Sequence, residues 1–145
     1  MEIKVKPIGF AKNNVKEQRF GNWKNVVSEI ILDKEYKDAL DGIEDYSHLN
    51  VVFWMDQVKT CKIKHQPQGN EKVPVVGIFA CRCPARPNPI GITTVELLER
   101  KGNKIKVKGL DVINNTPIID IKPYTPQYDE IKNAKTPEWI NKLKY

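Results

Sequence analysis

Apolar and polar residues alternate with a period of two in several short blocks along the chain, and these blocks predict strands. Ile3 and Val5 alternate with Lys4 and Lys6 up to Gly9, which reads as a first strand. Val26–Leu32 is rich in β-branched residues and reads as a second. His48–Met55 is the most hydrophobic block; its short length and aromatic, β-branched content predict a buried strand central to a sheet. Val75–Ala80 resumes a strand pattern, Ile92–Glu99 and Lys104–Leu110 flank a Gly102-Asn103 turn as a hairpin, and a last short strand is expected around Ile118–Ile121.

The intervening segments carry turn chemistry. Lys12–Lys24 lacks either period and contains Gly21 and Asn22, which predicts a loop of the length that often carries function. Asp33 is placed to cap a short helix through Leu40, with Gly42 at its C-terminal cap, and Thr136-Pro137 would open a terminal helix over about 136–144. Residues 57–74 are polar, and Cys81–Pro89 holds three prolines that forbid regular pairing, so a rigid irregular loop is expected there. Six or seven short strands with mostly tight connections imply a mainly β chain, a small antiparallel or mixed β-barrel with a few short helices outside it. With no internal repeat or interdomain linker, residues 1–145 read as one domain whose core covers roughly 3–128.

Composition narrows the functional classes. The 145 residues contain 24 Lys and Arg against 18 Asp and Glu, a formal charge of +6 and a pI near 9.2, which favour an anionic partner such as a nucleic acid. Part of the excess has a plainer reading, because Lys4 and Lys6, like Lys104, Lys106 and Lys108, alternate with apolar residues as on the solvent face of a strand. Three cysteines, an odd number, with no secretory leader pattern point to a reducing, cytoplasmic setting, and no apolar run approaches the about 18 residues that would span a bilayer.

Neither GxGxxG after a strand nor GxxxxGK[ST] is present, so a nucleoside cofactor would need a different backbone from the Rossmann or phosphate-loop type. The densest local feature is Arg82-Cys83-Pro84-Ala85-Arg86-Pro87-Asn88-Pro89-Ile90-Gly91. Its prolines fix φ, and Gly91 is expected to take a backbone angle that other residues avoid. Two arginines on such a loop can make planar, multidentate contacts with a carboxylate, a phosphate or a base edge; the alternative is a rigid turn with solvated arginines.

These residues, with Ile8-Gly9, Ser28-Glu29, Gly42-Ile43-Glu44, Ser47-His48-Leu49, Gly77-Ile78-Phe79-Ala80, Gly109-Leu110-Asp111, Thr116-Pro117 and Asp120-Ile121-Lys122-Pro123-Tyr124, occur in order across residues 3–128. The chain thereby resembles the TrmO or TsaA-like family of β-barrel methyltransferases. The resemblance implies an S-adenosyl-L-methionine-dependent enzyme, homodimeric, with the cofactor near the subunit interface. It also implies a tRNA substrate, methylated on the exocyclic amine of a threonylcarbamoyl-modified adenosine beside the anticodon. By family pattern the cofactor contacts fall on Arg19, Asp56, Gln57, Arg82, Ile92, Asp111, Val112, Ile113 and Asn114.

Residue chemistry fits part of that assignment. Arg82 suits the cofactor's carboxylate, Asp111 could accept from a ribose hydroxyl or an amine, and backbone groups from Val112 to Asn114 could read an adenine edge; Asp111 could equally be a turn cap ending its strand. Asp111, Asp120 and Asp56 are the candidates for a general base, unranked by sequence, and His48 reads as a buried strand-end histidine. Arg86, Asn88, Lys122 and Tyr124 are candidate substrate contacts, and Tyr124, Tyr128 and Trp23 could stack an unpaired base or simply pack. The chain departs from the family at Gln18-Arg19-Phe20, where Pro-Arg-Gln is frequent, at Asn114-Asn115, where Asp-Gly is usual, and at Asp56, where histidine is common.

Cys61, His65, Cys81 and Cys83 are the candidates for a zinc site, but Cys81-x-Cys83 on an extended strand would point its thiols to opposite faces. The expectation is therefore small buried thiols and no metal.

Overall fold

A computed structural model describes residues 1–145. Its centre is a closed six-stranded barrel in which every neighbouring pair is antiparallel. In chain order the strands are β1 Gly9–Lys12, β2 Val27–Leu32, β3 His48–Trp54, the two-residue β4 Lys64–His65 and β5 Val76–Gly77, then β6 Ile90–Lys101, β7 Lys104–Lys108 and β8 Pro117–Pro123. Around the barrel the order is β1-β2-β7-β6-β3-β8, while β4 and β5 pair only with each other as a small flap. No helix is long and apolar enough to cross a membrane.

Alternation fills the barrel from the expected side chains. Leu49, Val51 and Phe53 of β3 point inward opposite Val95, Thr93 and Gly91 of β6, and Ile30, Ile105, Val107 and Ile118 complete a core that Leu110 and Val112 close. Gly91 has an ordinary backbone angle, contrary to expectation. A Cβ there would lie 2.3 Å from the Phe53 ring, so glycine is needed to admit the aromatic side chain. Gly9 meets a similar limit, since its Cβ would sit 2.2 Å from the Ile31 carbonyl oxygen across the β1–β2 ladder.

Four predicted elements differ. Residues 1–7 form no strand, and Ile3 and Val5 are exposed. Their alternation defines two faces, but the barrel offers no open edge to pair with, and β1 begins only at Gly9. Val75–Ala80 contributes just two paired residues before a 3-10 turn, Ile78–Ala80, tucks Ile78 in and leaves Phe79 82% exposed. The terminal helix is a single 3-10 turn, Glu138–Lys142, preceded by Pro137 and lacking a side-chain cap from Thr136. The 34–40 helix is likewise 3-10, and Asp33 makes no side-chain cap. A short α-helix, α1 Pro126–Asp129, follows β8 unforeseen, and Asp129 binds back to Asn50 of β3 at 3.1 Å.

Two clamps hold the periphery. Arg100 binds Asp41 and Glu44, each at 3.1 Å, and the Lys37 carbonyl, fastening the 34–45 segment to one end of the barrel. At the other, the Gln68 side chain donates to the Lys144 carbonyl and accepts from its amide, while the Asn22 amide donates to the Tyr145 carbonyl. The C-terminus thus joins the flap to the first long loop.

Candidate functional site

All-antiparallel closure has a direct consequence for the loops. The connections β1→β2 (13–26), β3→β6 (55–89) and β7→β8 (109–116) all leave the same rim, and β2→β3 and β6→β7 turn at the opposite one. Most residues predicted from the sequence to touch a cofactor lie on the three loops of the first rim: Arg19, then Asp56, Gln57 and Arg82, then Asp111, Val112, Ile113 and Asn114.

At the centre of this rim Arg82, Asp111 and Thr93 converge. The Thr93 hydroxyl donates to the Asp111 carboxylate. Asp111 presents a solvent-accessible side, yet protein atoms crowd its carboxyl, and this loss of hydration raises its pKa above the ordinary aspartate value; the Thr93 hydrogen bond and the positive charge of Arg82 oppose the rise without cancelling it. Arg82 is exposed and makes no hydrogen bond or ion pair of its own. A free guanidinium beside a partly desolvated carboxylate is a donor set for a ligand that carries both a carboxylate and an ammonium or hydroxyl group.

The backbone around them is held from below. The Asn13 side chain donates to Ser28 Oγ at 3.0 Å and to the Val112 carbonyl at 2.9 Å, and its Oδ1 accepts from the Val15 amide. Asn114 Oδ1 in turn accepts from the Asn13 amide, and the Asn114 amide donates to the Val15 carbonyl. The first loop and the 111–115 turn are therefore one unit. Asn115 adopts φ +70°, a left-handed angle that asparagine takes more readily than most residues, at the position where the resemblance leads to the expectation of glycine.

Elsewhere the predicted residues divide. Asp56 and Gln57 bind each other at 3.2 Å just after β3, beside the proline loop, where the Met55 amide donates to the Pro89 carbonyl. Arg19 stacks on Trp23, 4.6 Å from its ring centre, and donates to the Asn22 carbonyl. Arg86 is scaffold: its Nη1 donates to the Cys81 and Cys83 carbonyls, while Asn88 stays exposed.

Ile92, Asp120 and Lys122 face outward instead. Ile92 lies in register with Val52, and Val52 with Asp120, on the outer wall. There the Asp120 carboxylate pairs with Lys122 at 2.9 Å. Tyr124 lies at the far rim, edge-on to His48, which is exposed and bonded to Ser47, not buried. Within one chain, Lys122 and Tyr124 do not join Arg82. Sequence reasoning missed Thr93 and Asn13, whose residue types carry no signal until the strand register is known.

The cysteines correct a second expectation. Cys81 and Cys83 are not on a strand, and their sulfurs face each other at 2.8 Å, with His65 Nδ1 at 3.0 Å from Cys83. Burial first, then the Cys81 thiol, push the Cys83 thiol up to about 12. Cys61 is exposed and outside the group.

Known proteins share this fold. TrmO from Pseudomonas aeruginosa superposes with a TM-score of 0.78 at 27% identity, covering 95% of this chain and 62% of that one, so the chain spans less than two thirds of the solved protein. An S-adenosyl-L-methionine-binding protein of Archaeoglobus fulgidus is 42% identical over 129 residues, 86% of this chain and 91% of its own length. The human tRNA (adenine(37)-N6)-methyltransferase is 39% identical over 101 residues, 68% of this chain and 23% of its own. The family model of the tRNA-methyltransferase O N-terminal domain matches residues 11–130, which include all three rim loops, and the chain belongs to that family.

Proposed function

We propose that the chain binds S-adenosyl-L-methionine at the Arg82–Asp111 rim and catalyses methyl transfer to tRNA, on the exocyclic amine of a threonylcarbamoyl-adenosine next to the anticodon. The observation that carries the reading is the convergence of an unpaired Arg82 with the partly desolvated Asp111 on a rim built of the family's own segments. Support for the donor comes from the Archaeoglobus fulgidus protein, and for the acceptor from the human methyltransferase.

The residues fit the cofactor by donor chemistry. Arg82 offers planar donors to its carboxylate, Asp111 an acceptor to its ammonium or ribose hydroxyls, and the 112–114 backbone a polar edge to adenine. When bound, the group supplies an electrophilic methyl on a sulfonium. The chain's own contribution is orientation: the Asn13 hydrogen bonds and the proline loop hold Asp111 and Arg82 in place before the acceptor amine arrives. The raised pKa of Asp111 suits its carboxylate to take the amine's proton late in transfer.

Assembly as a cytoplasmic homodimer belongs to the same proposal. The flap and outer wall leave Ile63, Val75, Phe79, Ile90 and Ile92 exposed, and a second copy covering them would bring further residues to the rim. The positive excess then serves attraction to tRNA phosphates.

A second reading, cofactor binding without transfer, is favoured by one observation. The relative that matches over 91% of its length is described only as binding S-adenosyl-L-methionine. Comparing modified nucleosides in tRNA from parent and deletion cells separates the two. The proposal expects the methylated threonylcarbamoyl-adenosine to vanish on deletion; unchanged nucleosides would favour the binding protein.

A further inference from the structure

His65, Cys81 and Cys83 come from two segments that the fold brings together for no purpose the rim chemistry uses. His65 belongs to β4 of the flap, and the cysteines flank Arg82 on the loop leading into the prolines. Their ligand atoms all lie within 4.8 Å of one another: Cys81 Sγ to Cys83 Sγ is 2.8 Å and His65 Nδ1 to Cys83 Sγ is 3.0 Å. Cys83 is buried, His65 and Cys81 half-buried, so the cluster is shielded yet reachable.

We propose that His65, Cys81 and Cys83 form a binding site for one thiophilic divalent cation, zinc in the first instance, with the fourth position left to water or another donor. Two thiolates and an imidazole are the ligand set that zinc takes, at about 2.3 Å from sulfur and about 2.0–2.1 Å from nitrogen. Around a tetrahedral ion the two sulfurs stand about 3.8 Å apart, so the thiols need part by only about 1 Å, within reach of small side-chain rotations. Two features of the surroundings suit a ligand set of two sulfurs and an imidazole. Arg86 Nη1 binds the carbonyls of both cysteines at 2.7 and 3.2 Å, fixing the backbone that carries them and setting a positive charge beside them. No carboxylate belongs to the cluster, which disfavours magnesium and calcium.

The ion would have a structural effect at once. It ties the flap to the proline loop, and since Arg82 lies between two ligands, it fixes the stretch of backbone from which that guanidinium extends. Metal occupancy is thereby coupled to the rim, although the site itself stands on its own geometry.

The test uses the full chain, reduced and metal-free, titrated with Co²⁺ under argon. The expected result is a thiolate-to-cobalt charge-transfer band that saturates at one ion per chain and is bleached by Zn²⁺. Cys61→Ser should keep the band, while Cys81→Ser and His65→Asn should each lose most of it with the circular dichroism spectrum unchanged. If Cys83→Ser unfolds, protection of the wild-type thiols from alkylation by Zn²⁺ replaces it, two cysteines per chain being shielded. Absence of the band in folded wild-type protein, or its survival in a Cys81→Ser, Cys83→Ser chain, overturns the proposal.

Discussion

The Thr93 hydroxyl donates to the Asp111 carboxylate, tying a residue in the barrel wall to one on the rim 18 positions later. Thr93 lies in register with the buried Val51, so the hydrogen bond ties Asp111 to the barrel wall. Protein atoms also crowd the Asp111 carboxyl, and this loss of hydration outweighs both the hydrogen bond and Arg82 in setting its pKa above the usual value.

This sets a sign for pH. A carboxyl whose folded pKa is raised adds stability below its unfolded pKa and loses it as pH rises through the folded value. At neutral pH ionised Asp111 therefore costs stability, and Asp111→Asn, which can still accept from Thr93, should raise the thermal midpoint at pH 7. The gain should fade as pH falls from the raised folded pKa to the ordinary aspartate value, and be absent below it. Thermal melts from pH 3 to 8 check this, and a lower midpoint for the variant at pH 7 would contradict it.

Cofactor affinity should follow the opposite course. If the ionised carboxylate accepts from the cofactor, affinity falls as pH drops through the raised pKa of Asp111, and Asp111→Asn removes the dependence. Calorimetric titrations with S-adenosyl-L-methionine at several pH values measure it.

Arg82 is exposed and supports nothing else in the fold. Arg82→Ala should weaken cofactor binding about 10- to 100-fold, the loss of a charge-assisted interaction of about 1.5–3 kcal/mol, while leaving the thermal midpoint nearly unchanged. Unaltered affinity would remove Arg82 from the site.

Asn13 acts through others. Asn13→Ala orphans Ser28 and the Val112 carbonyl beneath the rim, and should cost about 1–3 kcal/mol in denaturant unfolding. Cofactor affinity should fall with it, although Asn13 is not a proposed contact. Loss of stability with full affinity would show that the 111–115 turn holds its shape alone.

Gly91→Ala places a methyl group against the ring of Phe53, which is 3% exposed, and should destabilise by about 1–3 kcal/mol. Adding Phe53→Leu should restore part of that loss. Equal stability of Gly91→Ala and the parent in urea would refute the close-packing account.

Much of this was legible beforehand because local chemistry and topology agreed. Prolines 84, 87 and 89 imposed an irregular loop, the His48–Trp54 pattern imposed a buried strand, and Gly102 marked the hairpin. Failures came where local pattern lacked a partner. Ile3 and Val5 alternate like a strand, but pairing is a property of two segments, and the closed barrel has no edge for them. Opposite faces for the Cys81 and Cys83 thiols require extended pairing, which the preceding 3-10 turn and the following prolines prevent. Arg82 and Asp111 were nameable from family pattern, whereas Thr93 and Asn13 gained meaning only from register and loop contacts.

The central claim is that this rim delivers a methyl group to tRNA. Purified chain incubated with S-adenosyl-L-methionine labelled in its methyl group, and with tRNA carrying threonylcarbamoyl-adenosine, should place label on the exocyclic amine of that nucleoside, with Arg82→Ala reducing transfer. Cofactor bound in calorimetry but no labelled nucleoside in that tRNA would contradict it.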